Sequence, residues 1–410
     1  MTLPKTAIVS HVLPPSPSGQ AVVLHRLLDG MSPDRYCLIS RERYGDAAGA
    51  GDASARLPGR YHHLKPPSRP VAARRPDLFS LRLTADALAG VAARARQICR
   101  IVREERCGLI VGCTGDLLDL PAACLAGRWA GIPFAPWLFD DYVHQWTGPM
   151  RRVARRMEPA VLRRSRGAIA PNEFLQAEYA RRHGAAAVLV RNPCPMPDLD
   201  ALDRGGAVFG NGGVHIVYAG AVYRAHYDAF RNLVAALRLI GRADARLHIF
   251  TAQSEPQLAD AGICGPEVVR HPHVPQDEVP RVLRGATLLF LPLAFDSPIP
   301  EVVRTSAPGK TGEYLAAGRP ILVHAPADSF LSWYFRANGC GAVADRGEPA
   351  RLASAIAELL ADAELRTRLS REARRVAERD FDVGKIRVEF ERALAFLAAP
   401  GREASCRCAS

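Results

Sequence analysis

The sequence predicts an α/β protein of two consecutive domains, each a doubly wound parallel sheet with helices on both faces. Three observations support this prediction. The 410 residues are more than one hydrophobic core usually serves. Short apolar strand signals alternate with longer helical signals in both halves of the chain. A stretch rich in proline and glycine, near residues 195–212, separates the two series.

The first half opens with a strand signal at residues 6–10, followed by a loop containing Gly19 and a helix at 20–29. Ligands gather at the carboxyl ends of parallel strands, so Gly19 is a candidate ligand contact; the alternative is a simple tight turn. No GxGxxG fingerprint is present, which argues against a nicotinamide-dependent dehydrogenase. The chain then has an irregular region at 44–82. Further strands are predicted at 36–40, 109–113, 134–139, 168–170 and 188–190, with helices at 84–106 and 120–130.

The second half restarts the pattern with a strand at 214–219, the turn residue Gly220 and a helix at 227–240. Strands are predicted at 246–252, 287–293, 321–323 and 341–344. Three helices at 349–361, 363–379 and 383–398 close the chain. The last helix has an apolar stripe that includes Ile386, Phe390 and Leu397, and Asp382 is its predicted cap.

The stretch 305–327 carries the strongest functional signal in the second half. It predicts a loop ending at Lys310, a short helix, the helix-terminating Gly318 and a buried strand. A loop entering a helix offers backbone N–H groups to a phosphate, and Lys310 adds a positive charge. Glu313 is placed to accept hydrogen bonds from sugar hydroxyls. The alternative is an ordinary connection between helix and strand.

The net charge of +12 and the isoelectric point near 9.5 indicate a basic surface. Residues 151–166 hold seven arginines and one glutamate, with Val153, Met157 and Val161 at helical spacing and an interruption or kink expected at Pro159. This segment is either a solvated helix face or an attachment to an anionic membrane. Specific nucleic-acid binding is disfavoured because the segment has no aromatic residue to stack on bases.

The cysteines and the apolar segments of the sequence indicate where in the cell the protein is expected. The ten cysteines form no CxxC pair, so we interpret them as reduced residues, neither zinc ligands nor a redox centre. No apolar run is long enough to span a bilayer, and the N-terminus does not have the pattern of a signal peptide. We therefore expect a cytoplasmic protein, with peripheral contact at the inner membrane through residues 151–166 as an option.

Four segments of the second half resemble nucleotide-sugar glycosyltransferases of the GT-B fold, most closely family 4-like proteins. They are residues 216–220, 274–280, 286–292 and, most specifically, 308–320 (PGKTGEYLAAGRP). Residues 190–193 resemble the crossing between the two domains. The resemblance implies Rossmann-like domains facing each other across a cleft. Residues 1–198 would bind the acceptor, residues 199–385 would bind the donor, and the helix 386–398 would return to the first domain.

The resemblance also implies the activity, which is transfer of a sugar from a nucleoside-diphosphate sugar to a glycan, glycolipid or other acceptor. Retention of configuration and independence of metal are expected, without any cofactor. Polysaccharide or glycolipid assembly would be the setting. Two rivals remain: a nucleotide-sugar epimerase of the same fold, and a non-enzymatic binder of anionic polymers or membranes.

The resemblance and the positions of the residues together suggest individual roles. Lys310 and Arg224 would stabilise the charge that develops on the diphosphate. Family members carry two glutamates eight positions apart; Glu313 matches the second, Thr305 stands at the first, and Glu301 lies four residues earlier. In the first domain, Asp141 and His144 follow a strand and are candidate general bases, which an inverting enzyme would need. The predicted donor-binding residues are Gly19, Gly220, Arg224, Thr305, Lys310, Glu313 and Tyr314.

Overall fold

The computed structural model describes residues 3–43, 56–65, 79–210 and 212–399. The chain divides into two compact units. Unit 1 comprises Met1–Val190 and Arg387–Ser410, and unit 2 comprises Arg191–Ile386. Most of the irregular region predicted at 44–82 lies outside the described residues.

Unit 1 contains a parallel sheet that has seven strands within the described residues, in the order β3-β2-β1-β4-β5-β6-β7. The central strands are fully buried, as expected for a parallel sheet covered on both faces. In chain order, the strands are β1 (Thr6–Val9), β2 (Tyr36–Ser40), β3 (Arg60–His63), β4 (Leu109–Cys113), β5 (Phe134–Trp137), β6 (Ala168–Ala170) and β7 (Ala187–Leu189).

The helices of unit 1 connect these strands and cover the sheet. Ser18 caps the first by accepting a hydrogen bond from the Ala21 amide, and Asn172 caps the fifth in the same way. They are α1 (Gly19–Leu28), α2 (Phe79–Glu104), α3 (Asp119–Ala130), α4 (Gly148–Leu162) and α5 (Glu173–His183).

Unit 2 contains a second parallel sheet, with six strands in the order β10-β9-β8-β11-β12-β13 within the described residues. Its strands are β8 (Val214–Ala219), β9 (Ala245–Phe250), β10 (Val268–His271), β11 (Leu288–Pro292), β12 (Ile321–His324) and β13 (Ala342–Ala344). The two parallel sheets and the alternation of strands with helices confirm the predicted fold class.

Apart from the helix Tyr227–Ile240, the helices of unit 2 that precede β12 have six residues each, and two longer helices after β13 complete the unit. In chain order, the helices of the unit are α6 (Leu199–Arg204), α7 (Tyr227–Ile240), α8 (Glu255–Asp260), α9 (Val279–Arg284), α10 (Pro300–Thr305), α11 (Thr311–Ala316), α12 (Phe330–Asn338), α13 (Pro349–Ala361) and α14 (Ala363–Asp380). Gly318 lies just beyond α11 with φ 59°, a left-handed conformation that ends a helix, as the sequence predicts.

Two strands, β3 and β10, were not predicted from the sequence. Both are edge strands, with the sequences RYHH and VVRH, and neither is fully buried. An edge strand has only one neighbour and retains polar side chains. Both strands therefore lack the apolar run by which the central strands are recognised.

The basic segment of unit 1 forms α4, and its apolar side faces the core. Val153, Met157 and Val161 are buried, as their spacing predicts. The interruption expected at Pro159 is wrong, because the helix continues to Leu162. Pro159 lies in the last turn, so its missing amide removes only one hydrogen bond close to where the helix ends anyway.

The last helix, α15 (Val383–Ala398), begins at the predicted cap, where the Lys385 amide donates to Asp382 Oδ1 at 3.0 Å. In unit 1 its apolar stripe is buried, and the ring of Phe390 lies 5.0 Å from that of Trp137 at the end of β5. This helix therefore contributes to the core of the first sheet.

Eight cysteines are described, all of them free thiols and all buried except Cys264. Cys406 and Cys408 lie outside the described residues. Within the described ranges, no helix combines the length and the apolar character needed to cross a bilayer.

Candidate functional site

Lys310 and Tyr218 meet at the carboxyl edge of the second sheet. Tyr218 is the penultimate residue of β8, and Lys310 immediately precedes α11. The Lys310 ammonium donates a hydrogen bond to the Tyr218 hydroxyl and lies 3.9 Å from the centre of its ring. No described carboxylate lies within salt-bridge distance of Lys310. Burial lowers the pKa of Lys310 to about 7, although Glu313 opposes the shift.

Gly220 follows β8 and leaves room for this lysine. Its φ is +133°, and a Cβ at this position would lie 2.8 Å from Lys310 Nζ. A larger residue would therefore be strained and would displace the ammonium. The structure thus brings together two of the predicted donor-binding residues, Gly220 and Lys310.

Tyr218 is itself fixed by buried neighbours. Its hydroxyl donates to the Ala221 carbonyl at 2.6 Å and lies 3.4 Å from His226 Nδ1. Burial and then the Lys310 charge hold the pKa of His226 well below its usual value, so the imidazole is neutral. The surroundings of Lys310 are therefore a phenol and a neutral imidazole.

Glu313 lies in the first turn of α11, and its side chain is partly exposed. Its Oε1 accepts a hydrogen bond from Gln276 Nε2 at 2.7 Å. A carboxylate has several acceptor positions, so this bond leaves capacity for a ligand. Glu313 therefore has the exposure and the acceptor capacity that binding hydroxyls requires.

Tyr314 and Thr305 are buried deeper than the other predicted donor-binding residues. Tyr314 is 0% exposed, and its hydroxyl accepts the Ala219 amide at 2.9 Å, which joins α11 to the end of β8. Thr305 ends α10 with its hydroxyl donating to the Glu301 carbonyl at 3.0 Å. These positions suit residues that hold the local structure better than residues that contact a ligand.

Arg224 and Gly19 are both exposed. Arg224 lies in the loop between Gly220 and α7, where its guanidinium is accessible to an anion. Gly19 is the first residue of α1, and a Cβ there would meet no atom within 4 Å. Space alone does not require glycine at position 19, so its contact with a ligand stays a prediction.

Asp141 and His144 follow β5 in unit 1 and pair with each other. His144 Nδ1 lies 3.1 Å from Asp141 Oδ1, and Asp141 also pairs with Arg182. The Asp141 carboxylate accepts two backbone amides, those of Val143 and His144, at 2.9 Å. Burial raises the pKa of Asp141, but the His144 hydrogen bonds and the Arg182 charge outweigh it and hold the pKa below its usual value. This carboxylate therefore has the surroundings of a structural ion pair, which weakens its case as a general base.

The second half of the chain matches a known family. Residues 213–362, which include Gly220, Lys310 and Glu313, match glycosyl transferases group 1. None of the curated proteins matches the sequence significantly. The HepE protein of Anabaena, solved with UDP and glucose, is similar in structure with a TM-score of 0.66, 14% identity, and coverage of 96% of this chain and 99% of that one.

Two further solved structures are similar. Trehalose 6-phosphate synthase of Burkholderia multivorans has a TM-score of 0.65, 14% identity, and coverage of 98% of this chain and 100% of that one. A putative UDP-N-acetylglucosamine 2-epimerase of Listeria monocytogenes has a TM-score of 0.56, 12% identity, and coverage of 96% of each chain.

The chain has the GT-B fold. The resemblance to GT-B glycosyltransferases predicted from the sequence is therefore confirmed, and its family match lies in the half that contains Lys310.

Four residues near the candidate sites have no role assigned from the sequence: Tyr218, His226, Gln276 and Asp140. The only sign of Tyr218 in the sequence is that an aromatic residue with a hydroxyl group stands at the end of an apolar strand. Asp140 precedes Asp141, but its side chain is exposed, whereas that of Asp141 is buried and ion-paired. An exposed carboxylate at a strand end is accessible to an acceptor, so Asp140 is a better general-base candidate than the buried Asp141.

Replacing each aspartate with asparagine should affect the stability of the protein differently. Asp141→Asn should lower the free energy of unfolding by about 1 to 3 kcal/mol, because it removes the buried carboxylate that pairs with His144 and Arg182, although Glu158 and Glu178 still pair with Arg182. Asp140→Asn should change it by no more than about 0.5 kcal/mol, as for other exposed positions. Urea unfolding of both variants measures this difference, and equal stabilities would contradict the structural role of Asp141.

Proposed function

We propose that this protein transfers a sugar from a nucleoside-diphosphate sugar to an acceptor. The observation that carries the proposal is the Lys310 ammonium, which is held at the carboxyl edge of the second sheet without a carboxylate in salt-bridge range among the described residues. A diphosphate would supply the missing negative charge. The family match over residues 213–362 and the likeness to HepE, solved with UDP and glucose, support the same assignment.

The chemistry requires that negative charge be stabilised as the sugar leaves. When the bond to the diphosphate breaks, the anomeric carbon becomes oxocarbenium-like and the leaving diphosphate gains charge. Lys310 would meet that charge, and Arg224 would reach it from the exposed loop. Glu313 would accept hydrogen bonds from the ribose hydroxyls, with Gln276 fixing its orientation.

Retention of configuration and independence of metal are part of the proposal. The acceptor would be a glycan or a lipid-linked sugar, as in polysaccharide assembly, and we propose unit 1 as its binding domain. If the reaction instead inverts configuration, Asp140 is the base that the geometry of unit 1 favours, with His144 as the predicted alternative. An epimerase is the second candidate, supported by the structural likeness to the Listeria protein.

Nucleotide binding tests the donor site directly. We expect Glu313→Ala to weaken the binding of UDP or GDP by about 10- to 100-fold, as for the loss of hydrogen bonds to a charged group. Titration calorimetry measures the change. Glu358→Ala is a matched control, since Glu358 is an exposed glutamate on α13 in the same unit, and it should bind as the wild type does. Absence of nucleotide binding by the wild type would contradict both the transferase and the epimerase.

We also propose that the outer face of α4 contacts an anionic membrane at the cytoplasmic side. Arg152, Arg155 and Arg163 are exposed, whereas the apolar side of the helix packs into the unit 1 core. Attachment would therefore be electrostatic and sensitive to salt, with each arginine contributing about 1 kcal/mol.

Liposome flotation tests this membrane contact. Vesicles containing phosphatidylglycerol should float the wild type at low salt, and the triple change of Arg152, Arg155 and Arg163 to Gln should reduce binding by about 100-fold. Changing Arg368, Arg371 and Arg375 to Gln removes the same charge from the exposed side of α14 and should have a smaller effect. Equal loss in the two triple variants would show that net charge alone is responsible and would contradict the proposal.

A further inference from the structure

Unit 2 has a second cationic cavity at the edge of the sheet opposite to Lys310. Its volume is about 300 Å³, and it lies beside the amino ends of β8, β11 and β12. Three arginines, one aspartate and one histidine line it together with glycine-rich backbone: Arg281, Arg284, Arg319, Asp203 and His215. We call this cavity the arginine pocket.

The charges in the arginine pocket are not balanced. Arg284 uses a two-pronged contact to Asp203, with Nε to Oδ1 at 2.8 Å and Nη2 to Oδ2 at 2.7 Å. Asp203 is therefore fully engaged by one arginine. Neither Arg281 nor Arg319 has a carboxylate within salt-bridge distance in the described ranges.

Among the described residues, the other two arginines donate their hydrogen bonds to backbone carbonyls. Arg281 Nη2 donates to Gly205 O at 3.2 Å, and Arg319 Nε donates to Arg284 O at 2.6 Å. Burial and then the Arg284 charge lower the pKa of Arg319, which indicates a guanidinium held near a like charge. An anion in the pocket would relieve that repulsion.

His215 adds a polar group to the same wall. Its Nδ1 lies 3.1 Å from His248 Nε2, whereas its Nε2 is buried and has no hydrogen-bond partner among the described atoms. The ring is held in place by stacking on Phe209, with ring centres 4.8 Å apart. His215 therefore forms a rigid part of the pocket wall.

We propose that the arginine pocket binds a phosphate group. Guanidinium groups match phosphate oxygens in charge and geometry, and two of the three here lack an acidic partner. A cavity of about 300 Å³ also has room for a small organic group attached to the phosphate. The ligand is therefore either inorganic phosphate or a phosphate monoester, and the two share this chemistry.

The arginine pocket is separate from the site of Lys310. His215 is the second residue of β8 and Gly220 follows its last residue, so roughly 17 Å of extended strand separates them. One ligand of a few ångströms cannot contact both Arg319 and Lys310. The proposal therefore does not depend on the proposed function.

Titration calorimetry with the full chain tests the proposal. Inorganic phosphate and glucose 6-phosphate are titrated at constant ionic strength, first into the wild type and then into Lys310→Ala, which disables the other cationic site. We expect one phosphate per chain in both proteins. Arg281→Gln should weaken binding by about tenfold, and the double change with Arg319→Gln should weaken it further.

Arg351→Gln removes an exposed arginine from α13 and should leave phosphate binding unchanged. Arg319→Lys tests whether a loss comes from misfolding, since it keeps the charge, and the circular dichroism of each variant should match the wild type. Tighter binding of glucose 6-phosphate would identify a monoester ligand, and equal binding would identify inorganic phosphate. No saturable binding, or binding that is lost only in Lys310→Ala, would overturn the proposal.

Discussion

Replacing Lys310 with alanine is expected to lower the turnover number by about 10²- to 10³-fold, the usual effect of removing one group that stabilises developing charge. The ammonium is held by Tyr218 and by the space that Gly220 leaves, so no other described lysine can take its place. The measurement is the rate of nucleoside diphosphate release from whichever nucleotide sugar the wild type uses.

Lys385→Ala is the matched control for this change. Lys385 lies in the same unit, is exposed, and donates its ammonium proton to the Glu378 carbonyl. Its replacement should leave turnover unchanged. The Lys310→Ala protein should also melt no earlier than the wild type, because a partly buried ammonium without an acidic partner contributes little to stability. Full activity in Lys310→Ala would remove the basis of the donor-site assignment.

The affinity for a nucleoside diphosphate should fall as the pH rises above 7. In the free protein, the pKa of Lys310 is about 7, and a diphosphate binds the ammonium form. The protonated fraction decreases about tenfold for each pH unit above that pKa, so the Kd should increase about tenfold per unit until the pKa of the complex is reached. Below pH 7 this effect levels off. Calorimetric titrations of UDP between pH 6.5 and 9 measure it.

Lys310→Arg provides the control for this pH dependence. A guanidinium stays charged throughout the range, so the variant should bind UDP with a nearly constant Kd. A related consequence concerns the ligand-free protein. Between the folded pKa of about 7 and the ordinary lysine value of 10.5, the unfolded chain binds more protons than the folded one. Stability should therefore rise with pH over that window. The same Kd at pH 6.5 and 9 in the wild type would contradict the assigned environment of Lys310.

The sequence was sufficient to predict the architecture because the central strands are apolar along their whole length. The predicted strand at 214–219 corresponds to β8, and the predicted order of loop, helix, Gly318 and strand is present around Lys310. The edge strands β3 and β10 were not predicted because their histidines and arginines give the sequence the polar character of a loop. Strand signals depend on burial, and an edge strand is only partly buried.

The contacts within the site were less predictable than the fold. Tyr218 and Lys310 are 92 residues apart, and only the completed sheet brings them together. Asp140 and Asp141 are adjacent and chemically alike, yet one is exposed and the other is 1% exposed and ion-paired. Arg182, which forms that ion pair, lies on a later helix. Side-chain environments of this kind depend on tertiary neighbours that a local pattern does not contain.

Product analysis after incubation with a nucleotide sugar tests the central claim most directly. The wild type is incubated with a panel of UDP- and GDP-sugars and a glycan or lipid-linked acceptor fraction, and the products are followed by NMR and mass spectrometry. We expect free nucleoside diphosphate together with a sugar newly attached to an acceptor, and we expect both products to be lost in Lys310→Ala. An epimerised nucleotide sugar without transfer to an acceptor, or no reaction with any member of the panel, would contradict the central claim.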